Sequence, residues 1–239
     1  MIGFAGRALT SHDMLRTWEV GTGLHPIDRA LLLCTFAAPG LDSGELARLP
    51  IGERDALLLQ LRASTFGDRL HAVIECTQCR TGLEISITVG SLRVPVSSEV
   101  ATRRRVGDRE LELRKLDSRD LAAIAATSDP AAARRLLVVR AVVGELAEVT
   151  EADETAIAAH LAELDPQADL VFDLACSECG TSFRAPFDIA SFLWSEVSTE
   201  ARRLIEDVAA LARAFKWSES DILAMSPQRR QRYLELAEA

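Results

Sequence analysis

Residues 74–83 are IECTQCRTGL, and residues 174–183 are LACSECGTSF. Both stretches carry two cysteines three positions apart, Cys76 with Cys79 and Cys176 with Cys179, so the two pairs are offset by 100 residues. A threonine follows each pair by two positions, and the apolar residues on either side keep the same phase in both copies. The repeat therefore predicts two copies of one local structure, in which two strands are joined by a turn that holds the cysteines.

The residues around each pair alternate between apolar and polar, which is typical of a half-buried strand. His71, Val73 and Glu75 alternate with apolar neighbours before the first pair, and Leu83 and Ile85 begin the alternation after it. The same pattern returns before Cys176 and after Cys179. We therefore expect two β-hairpins with a CxxC turn at each tip.

Two thiolates on one tight turn can bind a tetrahedral metal ion from one side, and the ion then needs two further ligands. The second turn can supply them, so the sequence predicts one Zn²⁺ site with the ligands Cys76, Cys79, Cys176 and Cys179. Four cysteine ligands leave no coordination position open for water, which is typical of a structural zinc site and not of a catalytic one. We interpret each turn as a zinc knuckle and the pair as a zinc-ribbon-like unit.

Alternatives to a shared zinc site stay open from the sequence alone. The cysteines could be free and buried, or they could form a disulfide or redox pair. A thioredoxin-like CxxC opens a helix, whereas both pairs here precede strand-like residues, which favours knuckles. His71 could replace one ligand, and the remaining cysteine, Cys34, lies on an apolar helix face and is expected to be a small core residue.

The remainder of the chain has mostly helical periodicity, and aromatic residues make up only 5% of it. The predicted fold class is therefore α+β and predominantly helical, with the two knuckle hairpins flanked by helical lobes. We divide the chain into five parts: residues 1–69 as an N-terminal helical region, 70–94 as the first knuckle hairpin, 95–167 as an inserted hairpin plus helices, 168–190 as the second knuckle hairpin, and 191–239 as a helical tail.

Composition argues against several classes of function. A formal net charge of −9 disfavours binding to nucleic acid, and the absence of any run of 18 apolar residues disfavours a membrane protein. No signal peptide is visible, so we expect a cytoplasmic protein in which paired cysteines bind metal. Glycine-rich phosphate loops and nucleophile motifs are also missing, so we predict neither catalysis nor a small-molecule substrate.

The basic run from Arg103 to Arg105 is expected to be a solvated strand, with contact to an acidic partner as the alternative.

A family resemblance rests on two groups of residues. The first is LLLQLRASTFG at 57–67, which leads into the first cysteine pair. The second comprises FLW at 192–194, AFKWS at 214–218, ILAMS at 222–226 and RQRYLEL at 230–236. Together they resemble small proteins encoded in clusters for contractile phage tails and phage-tail-like injection systems. That family is similar to the T-even phage baseplate hub assembly chaperones. The resemblance implies a role in building the tail or baseplate and supplies no catalytic residues.

The leading hypothesis is thus a non-catalytic assembly or structural factor of a contractile injection apparatus, whose partners are tail, baseplate or hub subunits. An exposed face of the last helix, with Trp217, Tyr233 and Leu236, is the predicted partner surface. The alternatives are a zinc-ribbon adaptor that binds nucleic acid or another protein and, third, a CxxC thiol redox protein.

Overall fold

The computed structural model describes residues 4–94, 100–144 and 149–237. The described helices are α1 (Ser11–Gly21), α2 (Pro26–Ala37), α3 (Ser43–Arg48), α4 (Ile51–Phe66), α5 (Ser118–Ile124), α6 (Pro130–Ala141), α7 (Glu151–Leu164), α8 (Ile189–Phe215), α9 (Glu219–Leu223) and α10 (Pro227–Ala237). The described strands are β1 (Arg69–Glu75), β2 (Gly82–Thr88), β3 (Arg103–Val106), β4 (Arg109–Glu112), β5 (Val171–Ala175) and β6 (Ser182–Pro186). These elements confirm an α+β protein in which helices predominate.

The strands form three separate antiparallel hairpins within the described ranges. In the first, Arg69 pairs with Thr88 and Glu75 with Gly82, so β1 and β2 are in register over their full length. In the second, Val106 pairs with Arg109 across a two-residue turn at Gly107 and Asp108. In the third, β5 pairs with β6 from Val171 to Ala175. The first and third hairpins carry the cysteine pairs at their tips.

Side-chain caps fix where many of the helices begin. Thr10, Asp42, Asp117 and Thr150 each accept a hydrogen bond from the backbone N–H three residues on, and an acidic residue at that position bonds back to the cap. His25 caps α2 through Nδ1, which accepts a hydrogen bond from the backbone N–H of Ile27 at 3.3 Å. Helical periodicity in the sequence does not reveal α3, which has only six residues.

The main hydrophobic core lies between α8 and the N-terminal helices. Leu33 of α2, Leu58 of α4 and Leu193 and Leu204 of α8 are fully buried in it. Gly21, the last residue of α1, lies against the ring of Trp194, and a Cβ at this position would come within 2.3 Å of the ring. Only glycine therefore permits this approach of α1 to α8. None of the described helices, not even α8 with 27 residues, has an apolar stretch that could traverse a bilayer.

A second, smaller core lies within the segment between the two cysteine hairpins. Val106, Leu113, Val138 and Ile157 are buried in it. Hydrogen bonds connect this segment to the start of α4, because the N–H of Ile51 donates to the carbonyl of Leu116 at 2.9 Å. The five-part division drawn from the sequence stays a prediction, and its boundary at residue 95 lies outside the described residues.

Arg62 of α4 ties the main core to the first hairpin. Its side chain is only 4% exposed and pairs with Glu196 of α8 at 2.7 Å. It also donates to the carbonyls of Gly67 and Arg69, at 2.7 Å and 2.6 Å. One guanidinium thus holds the end of α4, the start of β1 and the N-terminal part of α8 in fixed positions.

We expect Arg62→Ala to lower the free energy of unfolding by about 3 kcal/mol, because it leaves a partly buried carboxylate and two carbonyls without their donor. Urea denaturation followed by circular dichroism measures this change. Arg203→Ala is the matched control, since Arg203 is 60% exposed in its pair with Glu200 and should cost less than about 0.5 kcal/mol. Equal effects of the two substitutions would contradict this role for Arg62.

Candidate metal centre

The two cysteine turns have the same backbone hydrogen bonds. The N–H of Cys76 donates to the carbonyl of Thr81 at 2.9 Å, and the N–H of Arg80 donates to the carbonyl of Cys76 at 3.0 Å. In the second turn, Cys176 donates to Thr181 and Gly180 donates to Cys176, both at 2.9 Å. The sequence repeat is therefore a structural repeat.

Each turn needs a left-handed residue directly after its second cysteine. Gly180 takes this conformation, with φ of 71°, without a steric cost. Arg80 takes it in the first turn with φ of 64°, where a side chain costs roughly 1–2 kcal/mol. The position is needed because it turns the chain back towards the second strand, and the cysteine spacing alone does not reveal it.

The four sulfur atoms converge from the two hairpins. Cys76 Sγ lies 3.7 Å from Cys179 Sγ, and Cys79 Sγ lies 3.6 Å from Cys176 Sγ. All four lie within 4.8 Å of one another, and none is in a disulfide. Four sulfurs placed tetrahedrally at about 2.3 Å from a central ion would be about 3.8 Å apart. The observed spacing is therefore compatible with a four-thiolate metal site.

Burial and hydrogen bonding differ between the two cysteines of each turn. Cys76 and Cys176 are buried at 0% and 3% exposure, whereas Cys79 and Cys179 face solvent. The Sγ of Cys79 lies 3.4 Å from the Thr81 hydroxyl, and Cys179 has the same distance to Thr181. The sequence repeat includes these threonines, but their supporting role was not deduced from it.

These surroundings separate the pKa values of the thiols. Hydrogen bonds from the hydroxyl and the backbone N–H of Thr81 lower the pKa of Cys79 to about 6. Thr181 lowers the pKa of Cys179 in the same way. A backbone hydrogen bond from Cys179 acts to lower the pKa of Cys176, but burial and hydrogen bonds to neighbouring sulfurs outweigh it and raise that pKa to about 11. Bound metal would favour the thiolate form at all four positions.

The alternative ligand His71 and the fifth cysteine, Cys34, both lie outside the cluster. His71 faces solvent on β1, and the cluster found among the described residues consists of the four cysteines alone. Cys34 is fully buried in the main core, and burial raises the pKa of its thiol to about 12. Its position agrees with the expected role as a small core residue.

The predicted partner residues near the C-terminus form a local aromatic cluster. The rings of Phe215 and Trp217 stack at 4.5 Å, and Trp217 meets Tyr233 edge-on at 4.7 Å. Leu236 is 53% exposed. Phe215 was missed by sequence reasoning, although its position two residues before Trp217 was part of the quoted pattern. A partner role for Trp217, Tyr233 and Leu236 stays a prediction.

The basic run on β3 is exposed, as expected for a solvated strand. Arg103 lies 3.6 Å from Glu112 on the neighbouring strand, and Arg104 lies 3.5 Å from Glu163 on α7. Acidic residues of the chain itself thus already balance part of this charge.

Comparison with known proteins adds one match. Residues 34–124 match the family model described as T4 bacteriophage base plate protein. This segment covers less than half of the chain, runs from within α2 to the end of α5, and includes Cys76 and Cys79 but not the second cysteine pair. No curated protein and no solved structure matches. The match supports a relation to phage baseplate proteins, while the hub and chaperone aspects of the resemblance stay predictions.

In the reduced, metal-free protein at pH 7, we expect iodoacetamide to modify Cys79 before Cys176 and Cys34, because the thiolate is the reactive form. Peptide mass spectrometry over time measures the three rates, with circular dichroism showing that the helices stay folded. Thr81→Val removes one hydrogen bond to the Cys79 sulfur and should slow the modification of Cys79 severalfold, by more than it changes the rate at Cys179. Equal rates at Cys79 and Cys176 in the folded protein would contradict the assigned hydrogen bonds.

Proposed function

We propose that this chain is a non-catalytic structural or assembly component of a contractile, phage-tail-like baseplate and that it is built around a four-thiolate zinc centre. The match of residues 34–124 to the T4 base plate family model carries the proposal. The resemblance of the C-terminal segments to proteins of contractile tail and injection systems supports the same assignment. The proposed partners are protein subunits of the baseplate, hub or spike.

Four thiolates in tetrahedral arrangement favour Zn²⁺ or iron among biological metals, and zinc is the ion that we propose for this site. The ligand set is closed, since the four cysteines fill the tetrahedral coordination and leave no position for a substrate or an activated water. The centre would therefore stabilise the fold and not catalyse a reaction. Structural zinc of this kind contributes on the order of 10 kcal/mol to folding.

The centre would act by joining elements that border the main core. β1 begins three residues after the end of α4, and β6 is followed by Asp188, which caps α8 by accepting from the N–H of Ala190 at 2.9 Å. Metal binding between the two hairpin tips would thus restrain α4 and α8 at a second place, in addition to the Arg62–Glu196 pair. We propose that this rigid frame presents the surfaces that tail subunits recognise.

The predicted C-terminal partner surface can be refined from its packing. Trp217 and Tyr233 are half-buried because their rings contact each other. A larger fraction of Leu236 is exposed, 53%, than of either aromatic residue. We propose that the aromatic pair holds α10 in place and that Leu236 would make the direct contact.

The zinc centre predicts one zinc ion per chain in protein purified from its native host, measured by inductively coupled plasma mass spectrometry. Cys76→Ser should abolish stoichiometric zinc and strongly lower thermal stability, because only three thiolates then remain to bind the ion. Cys34→Ala is the control and should keep one zinc, since Cys34 lies in the core and outside the cluster. Iron in place of zinc would refute the metal identity, and full zinc retention by Cys76→Ser would refute the ligand set.

The baseplate role predicts that the tagged chain co-purifies with hub, spike or baseplate subunits from cells that produce the tail. Deletion of its gene should leave incomplete tail particles that are visible by electron microscopy. These particles should lose the activity of the intact tail. Fully assembled and active particles in the deletion strain would overturn the proposal. Salt-dependent retention on heparin or DNA, with no tail protein bound, would instead favour the nucleic-acid adaptor.

A further inference from the structure

Two close sulfur contacts in the cysteine cluster run from one hairpin to the other. Cys76 Sγ contacts Cys179 Sγ at 3.7 Å, and Cys79 Sγ contacts Cys176 Sγ at 3.6 Å. Each contact joins the first cysteine of one turn to the second cysteine of the other, and each cysteine belongs to one contact. A covalent bond at either contact would therefore link the two hairpins, whereas a bond within one CxxC turn would not.

Each contact combines one sulfur that solvent reaches with one that is protected. Cys179 and Cys79 are exposed, whereas their neighbours Cys76 and Cys176 are 0% and 3% exposed. An oxidant in solution can thus reach one cysteine of each contact, and a second thiol lies directly beside it. An accessible cysteine next to a resolving cysteine is typical of sites that oxidise reversibly to a disulfide.

The surroundings of the exposed sulfurs favour bonding between the hairpins. The hydroxyl of Thr81 lies 3.4 Å from Cys79 Sγ, and the hydroxyl of Thr181 lies at the same distance from Cys179 Sγ. These contacts restrain each exposed sulfur beside the other hairpin. The sulfurs of a disulfide are about 2.05 Å apart, so each contact has to shorten by roughly 1.6 Å.

We propose that peroxide oxidises this cluster to two disulfides between the hairpins, Cys76–Cys179 and Cys79–Cys176. The cluster then has two states that both join the hairpins. Metal joins them in a reducing cytoplasm, and disulfides join them in the oxidising surroundings outside a cell. This inference rests on the proposed function for the metal of the reduced state, whereas the sulfur contacts do not depend on it.

One hydrogen peroxide is consumed for each disulfide. The exposed sulfur attacks one peroxide oxygen, the O–O bond breaks, and a sulfenic acid forms as hydroxide leaves. The buried sulfur then attacks the sulfenic sulfur, so that the S–S bond forms, the S–O bond breaks and a second hydroxide leaves. The two sulfurs lose two electrons to the peroxide, and their protons convert both hydroxides to water. Once both disulfides have formed, no thiolate remains to bind a metal ion, so oxidation also releases the metal.

The first test uses the unaltered chain as purified and treats it with hydrogen peroxide. Trypsin cleaves after Arg69 and Arg80 and after Arg140 and Arg184, so residues 70–80 carry the first cysteine pair and residues 141–184 the second. Free thiols are blocked with N-ethylmaleimide before digestion. We expect mass spectrometry without reductant to find the two peptides covalently linked, and dithiothreitol to separate them.

Cys34 is the internal control for this experiment. It is fully buried in the main core and lies outside the cluster, so it should keep its free thiol. Separate peptides that each contain an internal disulfide would overturn the proposal. Cysteines oxidised to sulfinic or sulfonic acid without a disulfide would overturn it as well.

The second test uses double serine variants to establish which cysteines pair. Cys79→Ser with Cys176→Ser keeps the contact between Cys76 and Cys179 and should form its disulfide readily. The matched control, Cys79→Ser with Cys179→Ser, keeps the two buried cysteines and should react roughly tenfold more slowly, because peroxide reaches neither sulfur easily. Equal rates in the two variants would contradict the assigned pairing.

Circular dichroism establishes that both double variants are folded in the metal-free state. Where either is unfolded, the assignment is made on the unaltered chain instead, by electron-transfer fragmentation of the linked peptides. Disulfides that connect Cys76 to Cys176 and Cys79 to Cys179 would then contradict the pairing.

The third test asks whether both states of the cluster hold the hairpins. We expect EDTA to lower the melting temperature of the reduced, zinc-loaded chain and to leave that of the oxidised chain unchanged. An oxidised chain that melts below the reduced, metal-free chain would refute the second state. Absence of zinc together with disulfides between the hairpins would refute the proposed zinc centre alone, and bound zinc without such disulfides would refute this inference alone.

Discussion

The convergence of four sulfur atoms within 4.8 Å is the constraint on which the architecture depends. Cys79 and Cys176 are 97 positions apart, yet their sulfurs approach to 3.6 Å. Thiolates this close repel one another unless a cation or protons lie between them. The arrangement therefore makes sense as a ligand set, and it brings two hairpins together that share no backbone hydrogen bonds within the described residues.

The rest of the fold is organised around this junction. The first cysteine hairpin directly follows α4, and the second directly precedes α8. The segment between the two hairpins is therefore connected at both of its ends to helices of the main core. The segment has its own small core and is held against α4 by backbone and side-chain hydrogen bonds, such as that from the N–H of Gly52 to Asp165. The main core, the second core and the four-cysteine cluster thus each hold distant parts of the chain together.

Local features of this fold could be predicted from the sequence because short-range rules govern them. The CxxC turns, the period-two strands and the caps at Asp117 and Thr150 all depend on residues within a few positions. The 100-residue repeat also predicted one long-range contact, because two similar cysteine turns suggested a shared ion.

Features set by tertiary contact were not predictable in the same way. The sequence around Arg62 does not indicate its ion pair, because Glu196 lies on the distant helix α8. The helix α3 is too short for its periodicity to be visible. Arg80 occupies a left-handed position that usually favours glycine, so the residue type does not predict this backbone conformation.

The long separation between the two cysteine turns has a consequence for synthesis on the ribosome. Once Cys79 has been added, 97 further positions must be translated before Cys176 exists, which takes on the order of 5–20 s at 5–20 residues per second. During that interval the nascent chain carries only half of the four-cysteine cluster, with two thiols available to other chains, oxidants or metal carriers. The order of translation thus makes completion of the centre a late event in the maturation of each molecule.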